Sequence, residues 1–334
     1  MQSSLSDLLA GTAVVLADGA TGTNYFQIGL TAGEPPEFWN TDHPQHVRSV
    51  HENFVTAGAD LILTNSFGGT RQRLKLHNAQ DRVVELAERA AGIARSVADN
   101  SERRVVVAGS VGPTGELFEP LGALTHDDAV ATFREQIRGL ANGGVDVIWI
   151  ETMSAVDEVR AAATAAVEVG LPYVATCSFD TAGRTMMGLM PDALGAVFDT
   201  LAVAPTAMGA NCGVGAPDMV ATIVAMNAAA HPGVLVAKGN CGIPQFRGTE
   251  IVYSGTPEMM GRYAVLAADA GARIIGGCCG TTPVHLAAMR RALDARRPGA
   301  PPSLEQIIAE LGPLTNTVAT ASNPESRVRR RSRG

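Results

Sequence analysis

Short apolar runs recur along the chain, and each ends on a polar or reactive residue. Three of them are variants of one phrase: TAGADLILTN (56–65), NGGVDVIWIE (142–151) and DAGARIIGGC (269–278). In each, a helical stretch closes at glycine, a small residue turns, and the apolar run follows. VVLADGA (14–20), RVVVAGS (104–110), YVATCS (173–178), AMGANC (207–212) and VLVAKGN (234–240) complete a set of eight candidate strands. Nearly continuous apolar runs belong to parallel strands buried on both faces. Helical periodicity predicts helices over 44–57, 71–99, 127–142, 154–169, 191–203, 216–230, 256–270 and 283–296. Thr125, Ser154 and Thr256 stand where caps would start three of them. Eight strands alternating with eight helices is the pattern of an α/β protein of the (β/α)8 TIM-barrel class. A doubly wound sheet is the alternative, but no G-x-G-x-x-G follows the first strand. The Pro-rich RRPGAPPS (296–303) ends the barrel, and SLEQIIAELG predicts one further helix. The expected division is a barrel with its extra helix over 1–312 and a disordered Arg-rich tail over 313–334.

Composition narrows the class. Hydrophobic residues make up 46% but aromatics only 4%, so the core must be built from Val, Ile, Leu and Ala. No apolar stretch is long enough to predict a membrane span. The first twenty residues lack the basic and cleavage pattern of a leader. Five cysteines, an odd number placed at strand ends, predict a reducing compartment, the cytoplasm by default. Net charge is −7, although the last ten residues hold five Arg and one Glu. The acidic excess therefore lies in the body, which argues against nucleic-acid binding by the folded part.

In a barrel, chemistry gathers at the C-terminal ends of the strands. That rim collects Asp18, Asn65, Ser110, Glu151, Cys177, Cys212, Lys238, Cys278 and Cys279. In RIIGGCCGTTPVH (273–285), two adjacent cysteines stand between a strand and a helix opened by Thr282-Pro283. Neighbouring cysteines make a strained disulfide, but they can place two thiolates on one soft ion. With Cys212 of GANCGVG they suggest a Cys₃ zinc site, one ion per chain, whose fourth position is open. Three thiolates on Zn²⁺ leave a net charge of −1. Such a site lowers the pKa of a bound thiol while keeping its sulfur nucleophilic, and alkyl transfer to sulfur is the natural reaction. Asp18 and Glu151 suit the ammonium group of an amino-acid substrate. GSVGPTG (109–115) suits a close approach to its carboxylate, with Ser110 as a donor. Lys238 offers a reading of another class, a Schiff-base lyase, and a zinc-binding module without catalysis is a further alternative.

DGATGT, TNSFGG, GSVGPTG, GANCGVG and GGCCGTTPVH, in this order, resemble the zinc-dependent homocysteine S-methyltransferases over roughly residues 10–297. The resemblance implies zinc on Cys212, Cys278 and Cys279. It implies Asp18 and Glu151 at the homocysteine amino group, backbone near Ser110 and Gly112 at its carboxylate, and Asn65 among the substrate-binding groups. The expected activity is methyl transfer to homocysteine, giving methionine. The donor would be a betaine-type onium compound or methylcobalamin, the latter requiring a corrinoid protein as partner. GEPPEFWNTDHP, TNSFGG and GNCGIP are most similar to the module that works with methylcobalamin. Phe67 is followed by Gly68 and Gly69 where betaine enzymes carry a tyrosine, which leaves Trp39 as a candidate wall for an onium cage.

Overall fold

The computed structural model describes residues 4–229, 233–242, 244–247 and 250–316. Eight parallel strands form the sheet: β1 (Val15–Leu16), β2 (Leu61–Leu63), β3 (Val106–Val111), β4 (Val147–Met153), β5 (Tyr173–Cys177), β6 (Ala207–Cys212), β7 (Leu235–Gly239) and β10 (Ala272–Gly277). Each pairs with its neighbour in sequence, except that β7 passes to β10 across an inserted antiparallel hairpin, β8 (Pro244–Arg247) and β9 (Glu250–Tyr253). β10 pairs with β1, and a parallel bridge from Ala17 to Leu61 joins β1 to β2. The sheet is thereby a (β/α)8 TIM barrel, as the eight apolar runs predict.

Alternation within each strand sorts the core into two layers. Val15, Leu61, Val106, Val147, Trp149, Val174, Val236 and Ile274 meet inside the barrel, where Leu5 and Leu8 of the first helix (Leu5–Gly11) join them from below. Leu16, Ile62, Val107, Ile148, Ile150 and Ile275 face the helices. The repeated phrase has a geometric cause. Gly58, Gly144 and Gly271 each take a left-handed conformation (φ +110°, +90° and +109°) that a β-carbon disfavours. The aspartates that follow two of them reach sideways: Asp60 accepts from the amide of Leu16, and Asp146 from that of Val107.

Helices form over Pro44–Thr56, His126–Asn142, Val156–Val169, Ala216–Asn227, Pro257–Asp269 and Pro283–Asp294, with the extra helix at Leu304–Leu311. Thr125 and Thr256 cap as expected, whereas the residue at the cap position of Val156–Val169 is Ala155 rather than Ser154. The stretch 71–99 is divided into Arg71–Lys75 and Val83–Asp99, because Asn78 adopts φ +55° and turns the chain. Residues 191–203 give only 3₁₀ turns, at Pro191–Ala193 and Gly195–Phe198. Gly195, which opens the second turn, has poor helix propensity and marks the interruption. Thr315 and Asn316 donate backbone amides to Asp218, so the chain still touches the barrel there. The remainder of the Arg-rich tail, 317–334, lies outside the described residues. Among the described residues no helix is long and apolar enough to cross a membrane.

Candidate active site

A cavity of about 640 Å³ opens at the C-terminal rim, lined by Glu151, Cys212, Lys238, Cys278 and Cys279 at one end and by Glu37, Phe67, Arg73 and His77 among its other residues. The three sulfurs come together there, all within 4.8 Å of one another, and each cysteine is half-buried. Three sulfurs set about 2.3 Å from one tetrahedral ion stand roughly 3.8 Å apart, so this spacing fits a single zinc-sized ion. Cys212 owes its position to a left-handed backbone (φ +63°), a rare conformation for a residue with a β-carbon. Two asparagines hold that geometry. Asn240 donates to the Gly213 carbonyl (2.6 Å) and to Cys212 Sγ (3.6 Å), and its oxygen accepts the Cys279 amide (3.0 Å). Asn211 bonds both the amide and the hydroxyl of Thr152 (2.7 Å each) and reaches Cys278 Sγ at 3.9 Å.

The thiols are electrostatically coupled. Hydrogen bonds from Cys278 and then Cys279 pull Cys212 down to about 3, against desolvation. The same bond to Cys212 pushes Cys278 up to about 12, and Cys279 is driven up further by both partners. One negative charge is therefore shared by three sulfurs. A cation entering the cluster would displace the remaining protons, the behaviour expected of a thiolate metal site.

Glu151 Oε1 accepts the Ser110 hydroxyl at 2.5 Å. Burial pushes its carboxyl up to about 7, with Lys238 opposing and Cys278 reinforcing the shift. Asp18 is wholly buried behind the cavity. One of its oxygens accepts the Leu63 amide (2.8 Å) and the other pairs with Lys238 Nζ (2.7 Å). Lys238 is only 2% exposed and sits 5.8 Å from the centroid of the Trp149 ring. Its nitrogen is committed to Asp18, which is the balancing-cation role rather than the Schiff-base one.

The other expected site residues stand further back. Asn65 lines the cavity, but its side-chain amide bonds Pro36 O and Asn40 Oδ1, tying the loop before residue 40 to the barrel. The Gly112 amide is taken by the Phe67 carbonyl (3.0 Å), and a β-carbon on Gly112 would lie 2.5 Å from the Phe67 ring. Gly112 thus makes room for Phe67, which is itself a cavity wall. Trp39 is 2% exposed, donates to Glu34 (2.8 Å) and packs on Tyr25, His43 and His46. It is a packing residue, and the aromatic walls of the cavity are Phe26 and Phe67. Glu37, which sequence reasoning passed over although it lies within GEPPEFWNTDHP, lines the same cavity and accepts the Gly68 amide of TNSFGG at 2.6 Å.

Comparison with known proteins decides the family. The family model for homocysteine S-methyltransferase matches residues 15–293. This chain belongs to that family. It is similar to methionine synthase of Mycobacterium tuberculosis, with 29% identity over 315 residues that cover 89% of this chain and 26% of that protein. The methionine synthase of Mycobacterium leprae is also 29% identical, over 319 residues covering 90% and 26%. The chain thus spans about a quarter of the length of these relatives. Among solved structures, the metallated homocysteine methyltransferase MmuM from Escherichia coli superposes with a TM-score of 0.71. It has 23% identity over 86% of this chain and 99% of that one, a likeness of fold. The apo form of the same protein gives 0.65.

Proposed function

We propose that this chain is a zinc-dependent homocysteine S-methyltransferase that forms methionine. The observation that carries the reading is the convergence of Cys212, Cys278 and Cys279 in one cavity with the buried carboxylate of Glu151. The three cysteines would hold the zinc, and a bound zinc supplies Lewis acidity that lowers the pKa of a substrate thiol. Glu151, positioned by Ser110, receives the substrate ammonium, and that cation favours its charged form. Asp18 acts one layer behind, fixing Lys238 at the wall. The homocysteine sulfur then attacks the methyl carbon in line, forming S–C as the bond to the donor breaks. Asn211 and Asn240 keep the cysteine-bearing loops in register throughout.

Zinc-loaded protein given homocysteine and a panel of glycine betaine, dimethylsulfoniopropionate, S-methylmethionine and methylcobalamin tests the reading, with methionine as the product followed. Cys278→Ala is expected to lose both zinc and turnover, and a variant that keeps both would overturn the assignment. A second reading is a homocysteine-activating subunit served by a separate corrinoid protein. It is favoured by the similarity to much longer methionine synthases, and turnover with methylcobalamin alone would select it. All five cysteines are free, which supports the cytoplasm as the site of action.

A further inference from the structure

Alternation along β4 sends Val147 and Trp149 into the barrel and Ile148 and Ile150 towards the helices. Glu151 keeps that rhythm at the cavity, but Thr152 breaks it by lining the cavity as well, and Met153 packs outward in its place. The cause is a shift of register. β4 pairs Ile150 with Ala175 of β5 and next Met153 with Cys177, so β4 carries one residue more than its partner there. A bulge of this kind re-aims a side chain, and Thr152 forms it with a left-handed backbone (φ +59°), an outlier for a β-branched residue. Such a conformation persists only where neighbours over-determine it. The neighbour is Asn211, wholly buried at the end of β6. Its Oδ1 accepts the Thr152 amide (2.7 Å) and the Thr176 hydroxyl (2.6 Å), and its Nδ2 donates to Thr152 Oγ1 (2.7 Å). Only the oxygen can accept a backbone amide, so the side chain has one orientation. Its second N–H is left for Cys278 Sγ, at 3.9 Å.

One buried amide thus grips the strand end that carries Glu151, reaches the sulfur of Cys278 and precedes Cys212 in the chain. We infer that Asn211 is a positioning residue that couples the two ends of the substrate site, so that a metal ion on the cysteines tightens binding of the amino-acid group even in a ligand without a thiol. This rests on the methyltransferase reading, in which Glu151 receives the ammonium. The physical chain is short. A metal ion sets the separations of the Cys212 and Cys278 sulfurs. Cys212 is itself left-handed (φ +63°), so fixing its sulfur constrains the segment that Asn211 belongs to. Fixing Cys278 gives the second N–H of Asn211 a stationary acceptor. Asn211 then holds Thr152 in the bulge, and with it the direction in which Glu151 projects. A first ligand that orders a segment lowers the ordering cost met by the second. The coupling is reciprocal, so the amino acid should strengthen metal binding by the same factor.

The test uses L-norvaline, the homocysteine skeleton with a methyl group in place of the thiol, which can meet Glu151 but cannot ligate the metal. Titration calorimetry on the reduced full chain, with and without zinc, gives the ratio of its two affinities. Wild type is expected to bind norvaline at least about fivefold more tightly when zinc-loaded. Saturating norvaline should raise zinc affinity in chelator competition by the same factor. Asn211→Ala should bring both ratios within about twofold of one. Thr152→Ala removes the hydroxyl but keeps the amide bond to Asn211, and should lower the ratios at least about twofold. It carries the test if circular dichroism shows that Asn211→Ala does not fold. A merely structural role would weaken norvaline equally with and without zinc and leave the ratio unchanged. A direct effect of the ion's charge on the ammonium would survive both substitutions. A wild-type ratio of one, norvaline that binds neither form, or a ratio that survives in the folded variants overturns the inference. In each case methionine formation, with a cobalt-substituted protein whose spectrum responds to homocysteine, leaves the methyltransferase reading standing. No methionine from any donor, with no cobalt response to homocysteine, would overturn that reading itself.

Discussion

Replacing Lys238 with methionine tests the electrostatic layout of the rim directly. The Lys238–Asp18 pair is 2.7 Å long and both side chains are almost fully buried, at 2% and 0% exposure. Losing one partner of such a pair costs about 3–5 kcal/mol, because the remaining charge is stranded in a poorly polarisable interior. Asp18 would keep one bond, from the Leu63 amide. The neutral Asp18→Asn change retains an acceptor for that amide while removing the charge. Introduced into Lys238→Met, it should recover at least about 2 kcal/mol, a coupling of the size found for contacting buried charges. Urea unfolding of metal-free, reduced protein, followed by far-ultraviolet circular dichroism, reads all four corners of the cycle. The pH dependence supplies a sign to check. Burial already raises the Asp18 carboxyl, and removing the lysine raises it further. The folded variant then binds a proton that the unfolded chain releases, so its stability falls as pH rises. The deficit of Lys238→Met should accordingly be larger at pH 8 than at pH 5. A cost below about 1 kcal/mol, or a strictly additive cycle, would refute the ion-pair account. It would return Lys238 to the list of chemical groups.

Other features give outcomes of their own. His51 is buried with neither ring nitrogen bonded, and burial lowers its pKa from 6.5 to about 4. The native state therefore resists a proton that the unfolded chain accepts below 6.5. Stability should fall by roughly 2 kcal/mol between pH 8 and pH 5 from this group alone, and His51→Leu should remove that part of the slope in paired urea titrations. Gly112→Ala places a methyl 2.5 Å from the Phe67 ring and 2.7 Å from its carbonyl. Overpacking of this kind costs about 1–3 kcal/mol, and thermal denaturation should show the loss. Asn240→Ala leaves the Cys279 amide and the Gly213 carbonyl without their side-chain partner. Zinc affinity measured by chelator competition should drop about 10–100-fold, as for other groups that orient metal ligands. An unchanged affinity would show that the backbone alone holds the thiols.

What the sequence made legible was whatever physics writes locally. Buried parallel strands need unbroken apolar runs, and left-handed helix exits need glycine, so the eight strands and the phrase around Gly58, Gly144 and Gly271 could be read without a structure. The cysteines were legible for a similar reason, since strand ends of a barrel share one rim whatever the loops between them do. Contacts between distant loops were not. Whether Asp18 faces substrate or a lysine depends on Lys238, 220 residues away along the chain. Whether Trp39 lines the cavity depends on its packing with Tyr25 and two histidines, and nothing in GEPPEFWN announces that. The hairpin of β8 and β9 went unpredicted, although its last residue, Tyr253, packs over Gly280 beside the cysteine loop. Glu37 is the instructive case. The Gly68-Gly69 pair reads in sequence only as the place where betaine enzymes carry a tyrosine. In the folded chain the missing side chain at Gly68 is the space that Glu37 enters, 31 residues upstream. Gly69 serves a different neighbour, since a β-carbon there would lie 2.9 Å from Gln136 Nε2, so two adjacent glycines in one motif are required for two unrelated long-range contacts.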